Sequence, residues 1–381
     1  MANQPIRIVH LITSLSLGGA EMMLYKLLAQ MDRNEFDSSV LSLTGDGPVG
    51  EKIRQLGIPV TSLGMRPGIP NPVHFFRLAR LLRKKCPDLL QTWMYHSDLM
   101  GGLAAGVSGN FPVVWGIRNS TLDKGHSKKS TLLIIKILAR LSWWIPDRIV
   151  SCSYVAQDVH TRLGYRVDKF MVIPNGFDIG LFHPDPAARI SLREELALPP
   201  GAFLIGLVGR FDPQKDHEHF IQAAGCLAQH TDQVYFVLAG DGITWKNETL
   251  ANWIRSFKLE SRFQLLGPRQ DIPRLTAALD IATSSSAYGE AFPNVIGEAL
   301  ACGVPCVATD VGDSIRIIES AGKVVPLRDS EALCLAWLEM IRMEKVQWDV
   351  MKQAARKIVE DHYGIETITR RYQDLYRSLV K

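Results

Sequence analysis

The sequence predicts an α/β protein of two Rossmann-like, doubly wound parallel-sheet domains facing each other across a cleft, and three observations carry that prediction. Short β-branched runs alternate with helical stretches along the chain, the apolar runs are continuous in stretches such as Ile8 to Ile12 and Val113 to Ile117, and the alternation is broken once near the middle. Continuous apolar strands separated by helices are what a parallel sheet covered on both faces requires. The length of 381 residues agrees, since one ordinary core serves about 150 residues.

Taken in order, strands are expected near 6–12, 38–43, 58–63, 89–93, 112–117, 148–152 and 170–174, with helices between most of them, giving a first domain over 1–175. The segment 173–186, IPNGFDIGLFHPDP, then interrupts every period with three prolines, two glycines and the turn formers Asn175 and Asp178, and is read as the interdomain linker. A second domain over 186–363 repeats the layout, with strands near 203–209, 234–240, 263–267, 280–284 and 305–309. The last stretch, 364–381, carries Ile368, Tyr372, Leu375 and Leu379 on one helical stripe; either half could receive it, and it is assigned to the first domain. In open α/β sheets ligands bind outside the carboxyl ends of the strands, so function is sought on strand-to-helix loops.

Composition removes several function classes. A chain 46% hydrophobic and 22% charged, without repeats or low-complexity segments, is a packed globular protein. The net charge is only +4 and no Arg/Lys cluster is interleaved with stacking aromatics, so no nucleic-acid partner is expected. Cysteines 86, 152, 226, 302, 306 and 334 lie in apolar runs without paired spacing and are read as reduced core residues, which points to the cytoplasm. No signal peptide is expected, nor any apolar run of about 18 residues that could cross a bilayer. With no Asp-x-Asp motif, and only His217 and His219 closely spaced among ten histidines, no metal cofactor is expected.

Several loops could carry chemistry. The first strand runs into Ser14-Leu15-Ser16-Leu17-Gly18-Gly19-Ala20-Glu21. Gly18 and Gly19 either make a tight turn only or let the backbone approach an anion at a helix N-terminus; the pattern is not GxGxxG. The strand FLIGLVGR ends on Arg210, with Lys215 five residues on. That pair suits a diphosphate and the charge of a leaving group, or is a solvated basic turn. After Ser284-Ser285-Ser286 comes a loop with Glu290, then a helix opening near Pro293 and containing Glu298. Glu290 and the first-turn amides suit the hydroxyls and anion of a ligand and Glu298 a ribose, with a glycosidase-type acid/base pair the lesser alternative. In the first half, His96 follows the strand LLQTW, and Arg118 and Asn119 follow VVWGI.

The segment EAFPNVIGEALACGVPCV, with Glu290 and Glu298 separated by seven residues, resembles the signature of family 4 retaining glycosyltransferases of the GT-B fold. The Gly-Gly loop, the linker IPNGFD, the turn GRFDPQKD and this segment occur in the family's order, so the resemblance spans essentially the whole chain. It departs at Ala291, where the family usually has Gly and the loop more freedom.

The resemblance implies an enzyme with a nucleotide-diphosphate sugar as donor substrate, UDP- or GDP-linked, and a saccharide or lipid-linked acceptor. Arg210 and Lys215 would bind the diphosphate near Gly19, and Glu290 the donor sugar, beside the amides of Phe292, Pro293-Asn294 and Val295. Glu298 would bind the ribose, and Leu266 to Arg269 would line the base pocket. His96 would lie near the reacting sugar, with Arg118 and Asn119 as acceptor-side contacts; a local hydrogen bond is the plainer reading of His96. Retention follows if the acceptor attacks from the leaving-group face and the phosphate takes its proton, without a protein nucleophile. The rivals are a phosphorylase or epimerase, which phosphate dependence or donor isomerisation would reveal, and a noncatalytic nucleotide-sugar-binding subunit. The stretch 124–146, with Lys124, Lys128, Lys129, Trp143 and Trp144, reads either as a core helix with Lys136 and Arg140 on its wet stripe or as a peripheral contact with an anionic membrane.

Overall fold

A computed structural model describes residues 4–66, 72–120 and 129–380. They form two compact units, one of Met1–Gly176 with Ile365–Lys381, the other of Phe177–Gly364.

In the first unit β1 (Ile6–Ile12), α1 (Gly19–Gln30), β2 (Phe36–Ser42), α2 (Gly47–Gln55), β3 (Val60–Ser62), α3 (Pro72–Lys85), β4 (Leu89–Trp93) and α4 (Tyr95–Ser108) come first. β5 (Val113–Ile117), α5 (Lys129–Leu141), β6 (Arg148–Ser151), α6 (Tyr154–Arg162) and β7 (Phe170–Val172) follow. The second unit holds α7 (Pro186–Glu195), β8 (Phe203–Val208), α8 (His217–Leu227), β9 (Val234–Ala239), α9 (Glu248–Ser256), β10 (Phe263–Leu265), α10 (Ile272–Ala277) and β11 (Ile281–Ser284). It continues through α11 (Asn294–Ala301), β12 (Cys306–Thr309), α12 (Ser314–Ile318), β13 (Gly322–Val325), α13 (Ser330–Ile341) and α14 (Lys345–Ile358), before α15 (Ile365–Leu379) returns to the first.

Both sheets are parallel throughout. Their orders are β3-β2-β1-β4-β5-β6-β7 and β10-β9-β8-β11-β12-β13. Each reverses direction once, between β1 and β4 and between β8 and β11, and ligands of open parallel sheets bind at such switch points. Helix starts are fixed by local chemistry: Ser153 Oγ accepts from Ala156 N at 3.0 Å, and Asp185, before Pro186, accepts from Ala187 N at 2.9 Å.

The residues 177–185, read as linker, lie in the second unit, where Arg356 donates to the carbonyls of Ile179 and Phe182. β13 escaped sequence reading because GKVV is short, opens on Gly and Lys and forms a half-exposed edge. α15 buries Ile365, Ile368, Tyr372, Leu375 and Tyr376 in the core of the first unit with Ile8, Phe36 and Trp93. Each fully buried Ile or Leu of that stripe contributes about 1.5–3 kcal/mol, enough to hold a helix contributed from the far end of the chain.

The cysteine reading is corrected in part. Cys226 on α8 and Cys334 on α13 are joined as a disulfide, with Cα atoms 6.1 Å apart, and Cys86 is exposed. A separation of 108 residues hides a pair that two packed helices bring together. The disulfide also removes the cysteine-based ground for a cytoplasmic location. Among the described residues no helix is long and apolar enough to cross a membrane.

Candidate active site

The second unit gathers most of the expected donor residues at its switch point. Lys215, in the loop between β8 and α8, and Glu290, in the loop between β11 and α11, meet with Nζ and Oε1 2.5 Å apart; their side chains are 18% and 15% exposed. The Lys215 stem packs over Gly209 at the end of β8, and Ser286 Oγ donates to Glu290 Oε1 at 3.3 Å. Ser285 Oγ reaches the carbonyl of Lys215 at 2.7 Å, and Ala287 N donates to Gln214 O at 2.8 Å, so the two loops are tied together. Gly289 makes this possible, with φ +84° and a position where a Cβ would lie 2.7 Å from Gln214 Nε2. The Ala291 backbone is not left-handed, so this position does not call for the conformational freedom of the family's glycine.

Asn294 and Val295 open α11, with Pro293 as its N-cap, so the positive end of the helix dipole begins beside Glu290. Phe292 is buried against Phe177 and Tyr363, which leaves its backbone rather than its ring for a ligand. Glu298, about one turn into α11, borders a void of about 10 Å³ with Val208, Thr276 and Val295.

Two other cations of the expected donor set are already paired with carboxylates. Arg210 is 61% exposed and donates from Nε to Asp212 at 3.0 Å, so an anion must draw it from Asp212. The Arg269 guanidinium is locked among Asp271 and Glu195, with Arg274 also bonded to both acids. Those bonds hold the Asp271 carboxyl well below its ordinary range, Arg269 first among the causes. What Leu266 to Arg269 can offer a base is therefore backbone and the Leu266 side chain, not the Arg269 charge.

In the first unit, Gly18 and Gly19 stand at the N-terminus of α1 beside the switch point. Gly18 is extended, so its backbone does not demand glycine, but a Cβ there would lie 2.4 Å from Glu21 Oε2 and would push the Glu21 carboxylate aside. Glu21 is 7% exposed, and burial raises its pKa while the bond from Ser14 Oγ at 3.2 Å opposes this. The loop read as an anion site thus carries a buried carboxylate. Sequence reasoning passed over it because Glu21 looks like an ordinary first-turn acid.

His96 is half-buried in the first turn of α4 at the same switch point. Met94 before it has φ +71°, ψ +158°, a conformation rarely held outside functional or tightly fixed turns. Below it, Asp98 accepts from Thr92 Oγ1 at 2.6 Å, and burial pushes its pKa up to about 8. Arg118 turns inward: it donates to Asn175 Oδ1 at 2.8 Å and to Tyr372 OH, and lies 4.6 Å over the Trp93 ring. It anchors α15 and the end of the first unit. Asn119 follows it, half-buried. Lys124 and Lys128 lie outside the described residues.

Comparison with known proteins supplies the family and the fold. Residues 17–181 match the family Glycosyltransferase Family 4, and residues 202–343 match Glycosyl transferases group 1. The Escherichia coli UDP-Gal:alpha-D-GlcNAc-diphosphoundecaprenol alpha-1,3-galactosyltransferase is 26% identical over 98% of this chain and 97% of its own. A Campylobacter jejuni enzyme, the N,N'-diacetylbacillosaminyl-diphospho-undecaprenol alpha-1,3-N-acetylgalactosaminyltransferase, is 25% identical over 87% of this chain and 89% of its own. Among solved structures, Anabaena HepE in complex with UDP superposes with a TM-score of 0.87 at 25% identity, covering 98% of this chain and 100% of that one. With both halves matched in chain order and the two-sheet architecture shared, the chain belongs to the family 4 glycosyltransferases of the GT-B fold and is a sugar-transferring enzyme.

Proposed function

We propose that this chain is a retaining glycosyltransferase that takes a UDP- or GDP-activated sugar and transfers it, without a metal ion, to a saccharide or lipid-linked acceptor at the membrane surface. The observation that carries the reading is the Lys215–Glu290 pair at the switch point of the second sheet. It sets a diphosphate-binding cation against a hydroxyl-binding carboxylate, the two chemistries a sugar nucleotide needs side by side. Lys215 and Arg210 take the diphosphate together with the start of α11, Glu290 holds the donor sugar, and Glu298 holds the ribose. Two protein cations and a helix N-terminus supply the charge neutralisation that a divalent ion gives elsewhere.

The bond from the anomeric carbon to the diphosphate breaks as the acceptor oxygen bonds that carbon from the same face. The acceptor proton passes to the departing phosphate oxygen. In this scheme the first unit receives the acceptor, near His96.

The named substrates of the Escherichia coli and Campylobacter jejuni relatives support a lipid-linked acceptor, and the UDP bound to Anabaena HepE supports a uridine donor. A basic surface of the first unit supports membrane contact. α3 carries Arg77, Arg80, Arg83, Lys84 and Lys85 without an acid, and its Val73 and Phe76 are 67% and 69% exposed. On α5 the exposed Lys136 and Arg140 run beside exposed Leu133 and Ile137, so its outer stripe is mixed rather than merely wet. Trp143 and Trp144 follow, also exposed. Cationic side chains interleaved with apolar and indole groups are the surface that an anionic bilayer attracts.

Thermal unfolding with UDP, GDP, ADP and their sugars, with and without EDTA, tests the donor site. Stabilisation by one nucleoside diphosphate that survives EDTA is expected. No shift with any of them would overturn the donor assignment, and a shift abolished by EDTA would overturn the metal-free mechanism.

A further inference from the structure

Next to the Lys215–Glu290 pair, within the second unit, a cavity of about 360 Å³ opens at the N-terminus of α8. Its volume falls within the range of about 300–1,000 Å³ usual for small-molecule sites. Phe211, Asp216, His217, Trp253 and Arg328 line it.

His217 is 2% exposed, and among the described residues neither of its buried ring nitrogens has a hydrogen-bond partner. Asp216 is 9% exposed; its Oδ1 is bonded to His219 Nδ1 at 2.7 Å, while its buried Oδ2 has no partner among the described residues. Buried polar groups are almost always matched, so three unmatched buried atoms on two residues of the cavity wall favour an occupant that hydrogen-bonds. Burial, then the neighbouring Lys215, lowers the His217 pKa to about 4. The neutral ring offers one donor and one acceptor, which matches hydroxyl groups rather than a full charge.

The remaining walls narrow the chemistry. Asp212, Asp216 and Glu218 face Arg328 in the lining, and with Arg210 on Asp212 and Lys215 beside His217 the signs balance, which leaves no cationic surplus for a phosphate or a nucleotide. Phe211 sits with ring centroids 5.9 Å from Trp253 and 5.6 Å from His217, giving an aromatic wall beside the polar atoms. An indole face can take the C–H face of a sugar ring while the carboxylate and imidazole take its hydroxyls.

We propose that this cavity is a second binding site, for a neutral saccharide ring, separate from the sugar-nucleotide site. The inference does not rest on the donor assignment. The two sites do share a wall, since Ser285 Oγ bonds the carbonyls of both Lys215 and Asp216, at 2.7 and 3.2 Å.

The test is NMR of the histidine-labelled full chain with UDP in excess, titrated with glucose, galactose, N-acetylglucosamine and their methyl glycosides. The His217 signal is identified as the one missing from His217→Leu. At least one sugar should shift that signal saturably, Trp253→Ala should weaken the binding about tenfold or more, and Glu290→Ala should leave it in place. A His217 signal unmoved by every sugar overturns the proposal, and so does a shift that survives Trp253→Ala or disappears with Glu290→Ala. Should His217→Leu fail to fold, the Trp253→Ala and Glu290→Ala titrations, read by calorimetry, decide the question by the same criteria.

Discussion

Replacing Glu290 by glutamine should tighten nucleoside diphosphate binding while slowing turnover. Glu290 Oε1 lies 2.5 Å from Lys215 Nζ, and neither side chain is more than 18% exposed. A diphosphate that uses Lys215 must therefore displace a carboxylate and then sit beside it. For a phosphate charge roughly 5 Å from that carboxylate, Coulomb's law gives about 0.8 kcal/mol at the dielectric of water and about 3 kcal/mol at an effective dielectric of about 20, or roughly fourfold to more than a hundredfold in Kd. Glu290→Gln keeps the volume and an oxygen for the Ser286 hydroxyl, but removes the charge. UDP or GDP, whichever the chain binds, should then bind at least about fourfold more tightly by calorimetry. Turnover moves the other way, because a hydrogen bond from a sugar hydroxyl to a charged acceptor contributes about 1.5–3 kcal/mol, roughly 10- to 150-fold in kcat/KM. Nucleotide binding that weakens, or transfer that proceeds undiminished, would refute the reasoning; an unfolding temperature close to that of the unaltered chain shows that the comparison is sound.

Other perturbations have equally definite signs. A Cβ on Gly297 would lie 2.1 Å from Phe177 Cε2 and Cζ, so Gly297→Ala should destabilise the second unit by about 1–3 kcal/mol, seen as a lower urea midpoint at unchanged slope. Burial raises the folded Asp98 pKa from 3.8 to about 8, so between those values the folded chain holds a proton that the unfolded chain releases. Stability from this group is present below pH 4 and declines by up to about 1.4 kcal/mol per pH unit as pH rises towards 8. Asp98→Asn should flatten that decline in urea titrations across the range, and an unchanged slope would count against the burial argument. Reversing charge at Arg80 and Lys84, both exposed on α3, should release the protein from vesicles rich in anionic lipid while leaving nucleotide binding intact. Flotation that persists in that variant would count against α3 as the contact.

The fold was legible where burial on both faces imposes continuous apolar runs. β1, β4 and β5 are buried along nearly their whole length, and their sequences show it. β13 was not legible, because an edge strand with one neighbour needs less apolar side chain, and its GKVV is half-exposed. The return of α15 to the first unit was only half legible. Its stripe shows that it packs, but the choice of partner lies in Trp93, Arg118 and Phe36, hundreds of residues away. The same distance hid the disulfide between Cys226 and Cys334.

Site residues divide by where their partners lie. Arg118, Arg210 and Arg269 read in sequence as acceptor-side, diphosphate and base-pocket residues with their charges unengaged, because sequence displays a charge without its counter-charge. Arg118 turns out to be bonded to Tyr372, 254 positions away, and Arg269 to Glu195, 74 positions away. Each bond ties distant segments of its own unit together. Lys215 also has a distant partner, yet the partner is Glu290, and both lie on loops that flank one switch point of one sheet. A salt bridge between two helices serves packing; one between two switch-point loops keeps a cation and an anion apart from water until a ligand carrying both kinds of group replaces the bridge. In the proposed donor site, then, Lys215 and Glu290 form the centre, Arg210 joins when an anion outcompetes Asp212, and the Arg269 charge stays with Asp271 and Glu195.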